Sequence, residues 1–145
     1  MLPHKHVIIS AAVGGIAWAQ TGDPVSCAMA LAAGILPDVD HAVDYLYLYR
    51  GGEHRLVMPM HGYEYALLAS GVAWVTGSKL LAVAALSYLI HLLADQVENR
   101  TRPLGYSLLY RAVHRFRIEG ISTMPEAAIR GREDDLRRLR SLLSR

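Results

Sequence analysis

The sequence predicts an all-α fold, a compact bundle of about six or seven helices with an amphipathic C-terminal helix. Three observations predict it. Apolar residues recur at helical spacing in several stretches, and no run alternates as a half-buried strand would. Gly, Ser and Pro fall between those stretches at the offsets that stop one helix and start the next. At 145 residues the chain has the length of a single domain. It divides into a helical body over 1–120 and a basic helix over 121–145 packed upon it.

Four apolar stretches form the body: Val7–Ala19, Val25–Leu36, Tyr65–Val75 and Leu80–Ala94. Thr21-Gly22-Asp23-Pro24 separates the first two, with Asp23 as N-cap and Pro24 at the first helical position. Gly77-Ser78 separates the last two, with Ser78 as N-cap. Each stretch is shorter than the roughly 18–20 apolar residues that span a bilayer, which favours buried helices, or segments dipping into one leaflet, over four full spans. Tyr106–Phe116 follows, with aromatic and Leu residues on one face and Arg on the other. The last helix is expected to start at Thr123, which makes a capping box with Glu126. Its stripe of Ile129, Leu136, Leu139 and Leu143 should dock on the body or on a partner.

Composition narrows the class. Hydrophobic residues reach 52% and charged residues only 19%, against about 25% charged in soluble domains, so disorder is excluded and membrane association is favoured. The lone Cys27 permits neither an internal disulfide nor a Cys-rich zinc site, and reads as a packed thiol. Residues 111–145 hold nine Arg against five acidic side chains, so a slightly acidic apolar body carries a basic tail. Such a tail suits a solvated helix or an anionic membrane surface. Glu133, Asp134 and Asp135 interrupt it, which argues against nucleic acid as partner. At the N-terminus, Ala17-Trp18-Ala19 has the form of a signal-peptidase site, but Gly14-Gly15 breaks the apolar region and one Lys charges its front, so cleavage is not expected.

The chemistry lies in the histidines and aspartates. His91 and Asp95 share one face of a nearly all-apolar helix, one turn apart. Burying both costs several kcal/mol unless they pair or bind a metal. Pairing alone would account for these two. Asp38 and Asp40, however, emerge where another apolar helix ends at Pro37, and His61-Gly-Tyr-Glu64 opens the next one. Histidines at 4, 6, 41, 54, 61 and 91 all lie within or beside apolar segments, whereas His114 stands among arginines and reads as surface. Imidazoles mixed with carboxylates are the ligands of hydrolytic zinc, iron or manganese sites. A divalent ion, most simply zinc, held by His91, Asp95, His61 and one of Asp38 and Asp40 would lower the pKa of bound water and polarise a phosphoryl or acyl oxygen. Glu64 is a candidate general base or orienter of a ligand. Arg55 and Arg50 are candidates to neutralise a phosphate, or plain solvated loop charges.

Leu36-Pro-Asp-Val-Asp-His41, His54-Arg55, His61 and His91-Leu-Leu-Ala-Asp95 resemble, in this order, the motifs of the bacterial and archaeal predicted membrane-bound metal-dependent hydrolases. The resemblance covers roughly residues 4 to 110. It implies an all-helical domain at the bacterial inner membrane or its cytoplasmic face, distantly similar to zinc-dependent phospholipases C and single-strand nucleases. By the same resemblance the ligands fall on His6 (with His4 as alternative), Asp38, Asp40, His54, His61, His91 and Asp95. No further His and carboxylate pair follows beyond His114 and Glu119, so one or two ions are implied rather than three. The expected substrate is a small-molecule or lipid phosphoester. The alternative from another class is a non-catalytic membrane-associated protein with a structural metal, which would leave no open position on the ion.

Overall fold

A computed structural model describes residues 3–51 and 54–143 and bears out the all-α expectation. The helices are α1 (Pro3–Thr21), α2 (Pro24–Ile35), α3 (His41–Tyr49), α4 (Tyr63–Thr76), α5 (Lys79–Glu98), α6 (Leu108–Val113), the four-residue α7 (Ile118–Ile121) and α8 (Pro125–Leu143). A 3-10 turn, Leu36–Asp40, joins α2 to α3. Among the described residues there is no β-strand, only the isolated bridges Arg55–Arg117 and Thr101–Ser122.

The starts and stops follow local chemistry. Asp23 accepts from the Val25 amide at 2.9 Å, which caps α2 with Pro24 just inside. The Ser78 hydroxyl accepts from Leu81 N and starts α5, while Gly77 ends α4 in the left-handed region at φ 66°. The start of α8 differs from the expected capping box. The Thr123 hydroxyl donates to the Arg100 carbonyl at 2.6 Å instead, tying the approach to α8 onto the end of α5. Two short helices, α3 and α7, were not marked as apolar stretches, because nine and four residues are too few for a period to declare itself.

The body is built on a seam of small side chains. On α1 the buried positions are His6, Ser10, Gly14 and Ala17; on α2 they are Ser26, Ala30 and Gly34. Both sets recur every three or four residues, so each lies along one helix face. α5 packs against α1, α2 and α4, burying Ala84, Ala85, Ser87, His91, Leu92 and Asp95. The Ser87 hydroxyl donates to the Ala30 carbonyl at 2.7 Å across the α2–α5 contact. Gly34 is required here: a Cβ on it would lie 1.9 Å from Ser10 Oγ and 2.9 Å from Ser87 Oγ. Close approach of three backbones is therefore what brings His6 of α1 against Asp95 of α5. Cys27 is half-buried on α2, with its Sγ against Gly14, as a packed thiol should be.

Beyond α5 the chain wraps the open end of the body. α8 packs on α7 and α3, burying Leu136 and half-burying Ile129 and Leu139; the side chain of Leu143 lies outside the described residues. Arg132 of α8 reaches Asp44 of α3 in an ion pair exposed by only 13% and 8%. Arg111 was expected on the outer, polar face of its helix. It is instead fully buried, and its guanidinium donates to the carbonyls of Met58 (3.0 Å) and His61. An Arg at a buried position is retained because two loop carbonyls, cut off from water, need its donors.

Candidate metal centre

The residues around the seam's end converge on one point. His6 Nε2 lies 3.0 Å from Asp95 Oδ1, and His61 Nε2 lies 3.1 Å from His91 Nε2 and 3.4 Å from Asp95 Oδ2. Asp38 Oδ1 stands 3.7 Å from His61 Nε2, 3.7 Å from His91 Nε2 and 3.5 Å from His41 Nε2. Four elements far apart in sequence supply these atoms: α1, the 3-10 turn with the start of α3, the loop before α4, and α5. Two overlapping sets of ligand atoms each fall within 4.8 Å of one another: His6, Asp38, His91 and Asp95, and Asp38, His41, His61 and Asp95. Ligands of one ion at roughly 2.0–2.2 Å sit about 3–4.4 Å apart, so either set could hold a metal ion. Asp38 and Asp95 belong to both.

Hydrogen bonds fix which ring nitrogens face inward. His91 Nδ1 is 2.9 Å from the Gly34 carbonyl, which can only accept, so Nδ1 carries the proton and Nε2 presents a lone pair. That carbonyl is free to accept because it lies in the last turn of α2, where intrahelical partners run out. His61 Nδ1 is 3.1 Å from Asp40 Oδ2, which also accepts from the Met60 amide at 2.7 Å, so His61 likewise turns Nε2 inward. Two imidazole lone pairs 3.1 Å apart repel unless a proton or a cation lies between them. The buried Asp38 Oδ1 makes no hydrogen bond while facing three imidazoles. A cation answers both demands at once, and the donor set is one that zinc, iron or manganese accepts.

The electrostatics of the protein alone show how the cluster is balanced without an ion. Burial opposes the charged form of His61, but the carboxylates of Asp38, Asp40 and Asp95 outweigh it and raise its pKa to about 10. Burial, reinforced by repulsion from His6 and His61, pushes His91 down to about 4 despite nearby Asp95 and Asp38. Burial would raise the Asp38 carboxyl, yet the His41 and His61 imidazoles beside it hold it well below the carboxylate range. Without metal, one proton thus rests on His61 at the centre of the cluster. A divalent ion competes with that proton for the same lone pair.

The structure gathers His6, Asp38, His61, His91 and Asp95, and places Asp40 behind His61 as a carboxylate that orients an imidazole rather than among the converging ligand atoms. His4, the alternative to His6, is exposed. His54 is not brought in. Backbone bonds from Leu56 N to Phe116 O and from Ile118 N to His54 O lay this segment along 116–118, leaving the His54 side chain 64% exposed and 3.7 Å from Glu119. Glu64 is also elsewhere. It accepts from the Ser107 hydroxyl at 2.6 Å and from the Leu108 and Leu109 amides at 2.9 and 3.2 Å, so it caps α6 and is not among the converging ligand atoms. Those donors overcome the burial that would raise its pKa and lower it to about 2. Arg55 is exposed and donates to Tyr47 Oη at 3.4 Å; Arg50 is exposed at the end of α3, and Gly52 and Glu53 of the same loop lie outside the described residues. His114 stacks on Tyr110 and has no part in the cluster. His41 was the residue missed as a ligand, although its spacing of three from Asp38 signalled a shared face.

Fold and site together define an all-helical protein with a buried His/Asp centre able to hold a metal ion. Comparison of the chain with family models, with curated proteins and with solved structures finds no match.

Proposed function

We propose that the protein is a metal-dependent hydrolase acting on a phosphoester at a membrane surface, with zinc as the first candidate and one or two ions per chain. The observation that carries this reading is an asymmetry in the cluster. The side chains of His6, His61, His91 and Asp95 are at most 1% exposed, but Asp38 is 16% and His41 is 36% exposed. A structural site is closed on all sides, whereas a catalytic one keeps a position for water and substrate. The Asp38–His41 side is that opening. Held by these residues, a divalent ion would supply Lewis acidity and lower the pKa of a water bound to it. His91 and His61 are held with Nε2 inward, Asp38 fixes the approach from the open side, and partly exposed His41 is placed to exchange a proton with solvent or a leaving group.

Membrane association rests on exposed apolar side chains. On α4, Leu67, Leu68, Trp74 and Val75 are 67–89% exposed, and Ile8, Ile16 and Trp18 of α1 are 52–66% exposed. Such a quantity of exposed large side chains marks a contact surface, and α8 adds arginines suited to anionic lipid. One described helix, α5, is long and apolar enough to cross a membrane, but it is the helix on which α1, α2 and α4 pack. We therefore read the protein as lying against the membrane rather than spanning it.

The closed burial of four ligands favours the second reading, a structural metal in a non-catalytic protein. One experiment separates the two. Protein loaded with zinc or manganese is assayed on p-nitrophenyl phosphate and its diester, beside His41→Ala. Hydrolysis of either ester by wild type, slowed at least tenfold in His41→Ala, supports the hydrolase. Stoichiometric metal with no hydrolysis of either ester supports the structural role.

A further inference from the structure

A cavity of about 270 Å³ adjoins the open side of the cluster, between the body and α8. His41 belongs to both: it lines the cavity, and its Nε2 faces Asp38. Tyr106 forms a second point of contact, lining the cavity with its ring 5.8 Å from that of His61. Most of the wall is apolar, including the fully buried Leu48, Met58 and Ile121, and Ala128 faces it from α8. Thr101 also lines the cavity, beside Asn99 and Ser122. The cavity is half-open to solvent, with an apolar floor and the imidazole of His41 at its rim. A concave, mostly apolar wall next to a polar cluster is what a site for an apolar group would present.

We propose that this cavity receives the organic group of the substrate, a short alkyl chain or a single aromatic ring, while its phosphate would be held by the ion at the Asp38–His41 opening. The inference rests on the metal-hydrolase reading and adds a substrate class to it. The volume lies just below the roughly 300–1,000 Å³ of sites for drug-sized ligands, so it admits one short chain or ring and excludes the paired acyl chains of a phospholipid. The Arg132–Asp44 ion pair lines the same cavity and ties α8 to α3, so α8 forms part of the wall.

The test compares n-hexyl phosphate with inorganic phosphate on the zinc-loaded full chain by calorimetry, and follows 1-hexanol on metal-free protein through the methyl NMR signals of Met58 and Ile121. Burial of a few methylenes should make hexyl phosphate bind about tenfold more tightly than phosphate. Ala128→Phe, which grows into the cavity from α8, should abolish that gain while leaving phosphate affinity and metal content unchanged. Hexanol should shift both methyl signals in wild type. Equal affinities for the two phosphates, or methyl signals indifferent to hexanol, would overturn the inference. Failure of both phosphates to bind while hexanol still shifts the signals would overturn the hydrolase reading and leave the apolar site standing.

Discussion

The seam of α1, α2 and α5 and the C-terminal wrap of α6–α8 use charge in opposite ways. In the seam, imidazoles and carboxylates from separate elements turn their acceptor atoms toward one another, and small residues let the backbones close around them. In the wrap, charges are mostly exposed or paired within one helix, as Arg130 with Glu126 and Arg137 with Asp134. The exceptions, Arg111 and Arg132, each satisfy buried or nearly buried groups of the body. One region therefore concentrates ligands around a point, and the other holds that arrangement in place. Density of charge does not distinguish them; the direction in which acceptors face does.

Substitutions that remove a ligand should break this division most strongly. Asp95→Asn or His91→Ala should lower zinc affinity by at least about 100-fold, read by competition with a chelator, since both atoms converge at the centre. His114→Ala and His54→Ala should leave it unchanged. Next comes the support of the ligand loop. Arg111→Ala strands the buried carbonyls of Met58 and His61 and should cost about 3 kcal/mol in denaturant unfolding, with weaker metal binding because His61 is no longer held. Gly34→Ala should act similarly through the clash with Ser10. Asp40→Asn, which weakens the orientation of His61 without removing a ligand atom from the centre, should cost about 10–100-fold in zinc affinity.

Smaller effects belong to the wrap. Glu64→Gln should lower stability by about 1 kcal/mol, half-exposure limiting the electrostatic part, with metal content intact. Because the folded-state pKa of Glu64 is depressed from 4.5 to about 2, its contribution is fully present above pH 4.5 and fades as pH falls toward 2. The difference in unfolding free energy between wild type and Glu64→Gln should shrink over that window. Truncation after Met124, removing α8, should lower stability and leave metal stoichiometry unchanged; loss of metal from a folded truncated chain would show that α8 does more than wrap.

The sequence disclosed the seam more fully than the wrap, for a physical reason. Asp23-Pro24, Gly77-Ser78 and the pair His91/Asp95 carry their structural meaning at short range, as caps, breakers and i, i+4 neighbours. His54, Arg55 and Glu64 were chosen by residue type and order along the chain, yet their directions are set by contacts across about 40 to 65 residues, with Phe116, Ile118 and Ser107. Arg111 was misread because helical periodicity identifies an exposed face only when the helix stands alone; here the loop before α4 covers it. His41 was legible but passed over: the same three-residue turn that presents Asp38 presents its imidazole.

Metal content tests the central claim most directly. Wild-type chain and Asp95→Asn, each equilibrated with zinc, freed of excess ion and analysed for bound metal, should give one or two equivalents and close to none, respectively, with both proteins folded by circular dichroism. A folded wild-type chain that retains no zinc, iron or manganese would contradict the account, because His61 and His91 would then face each other across nothing more than a shared proton.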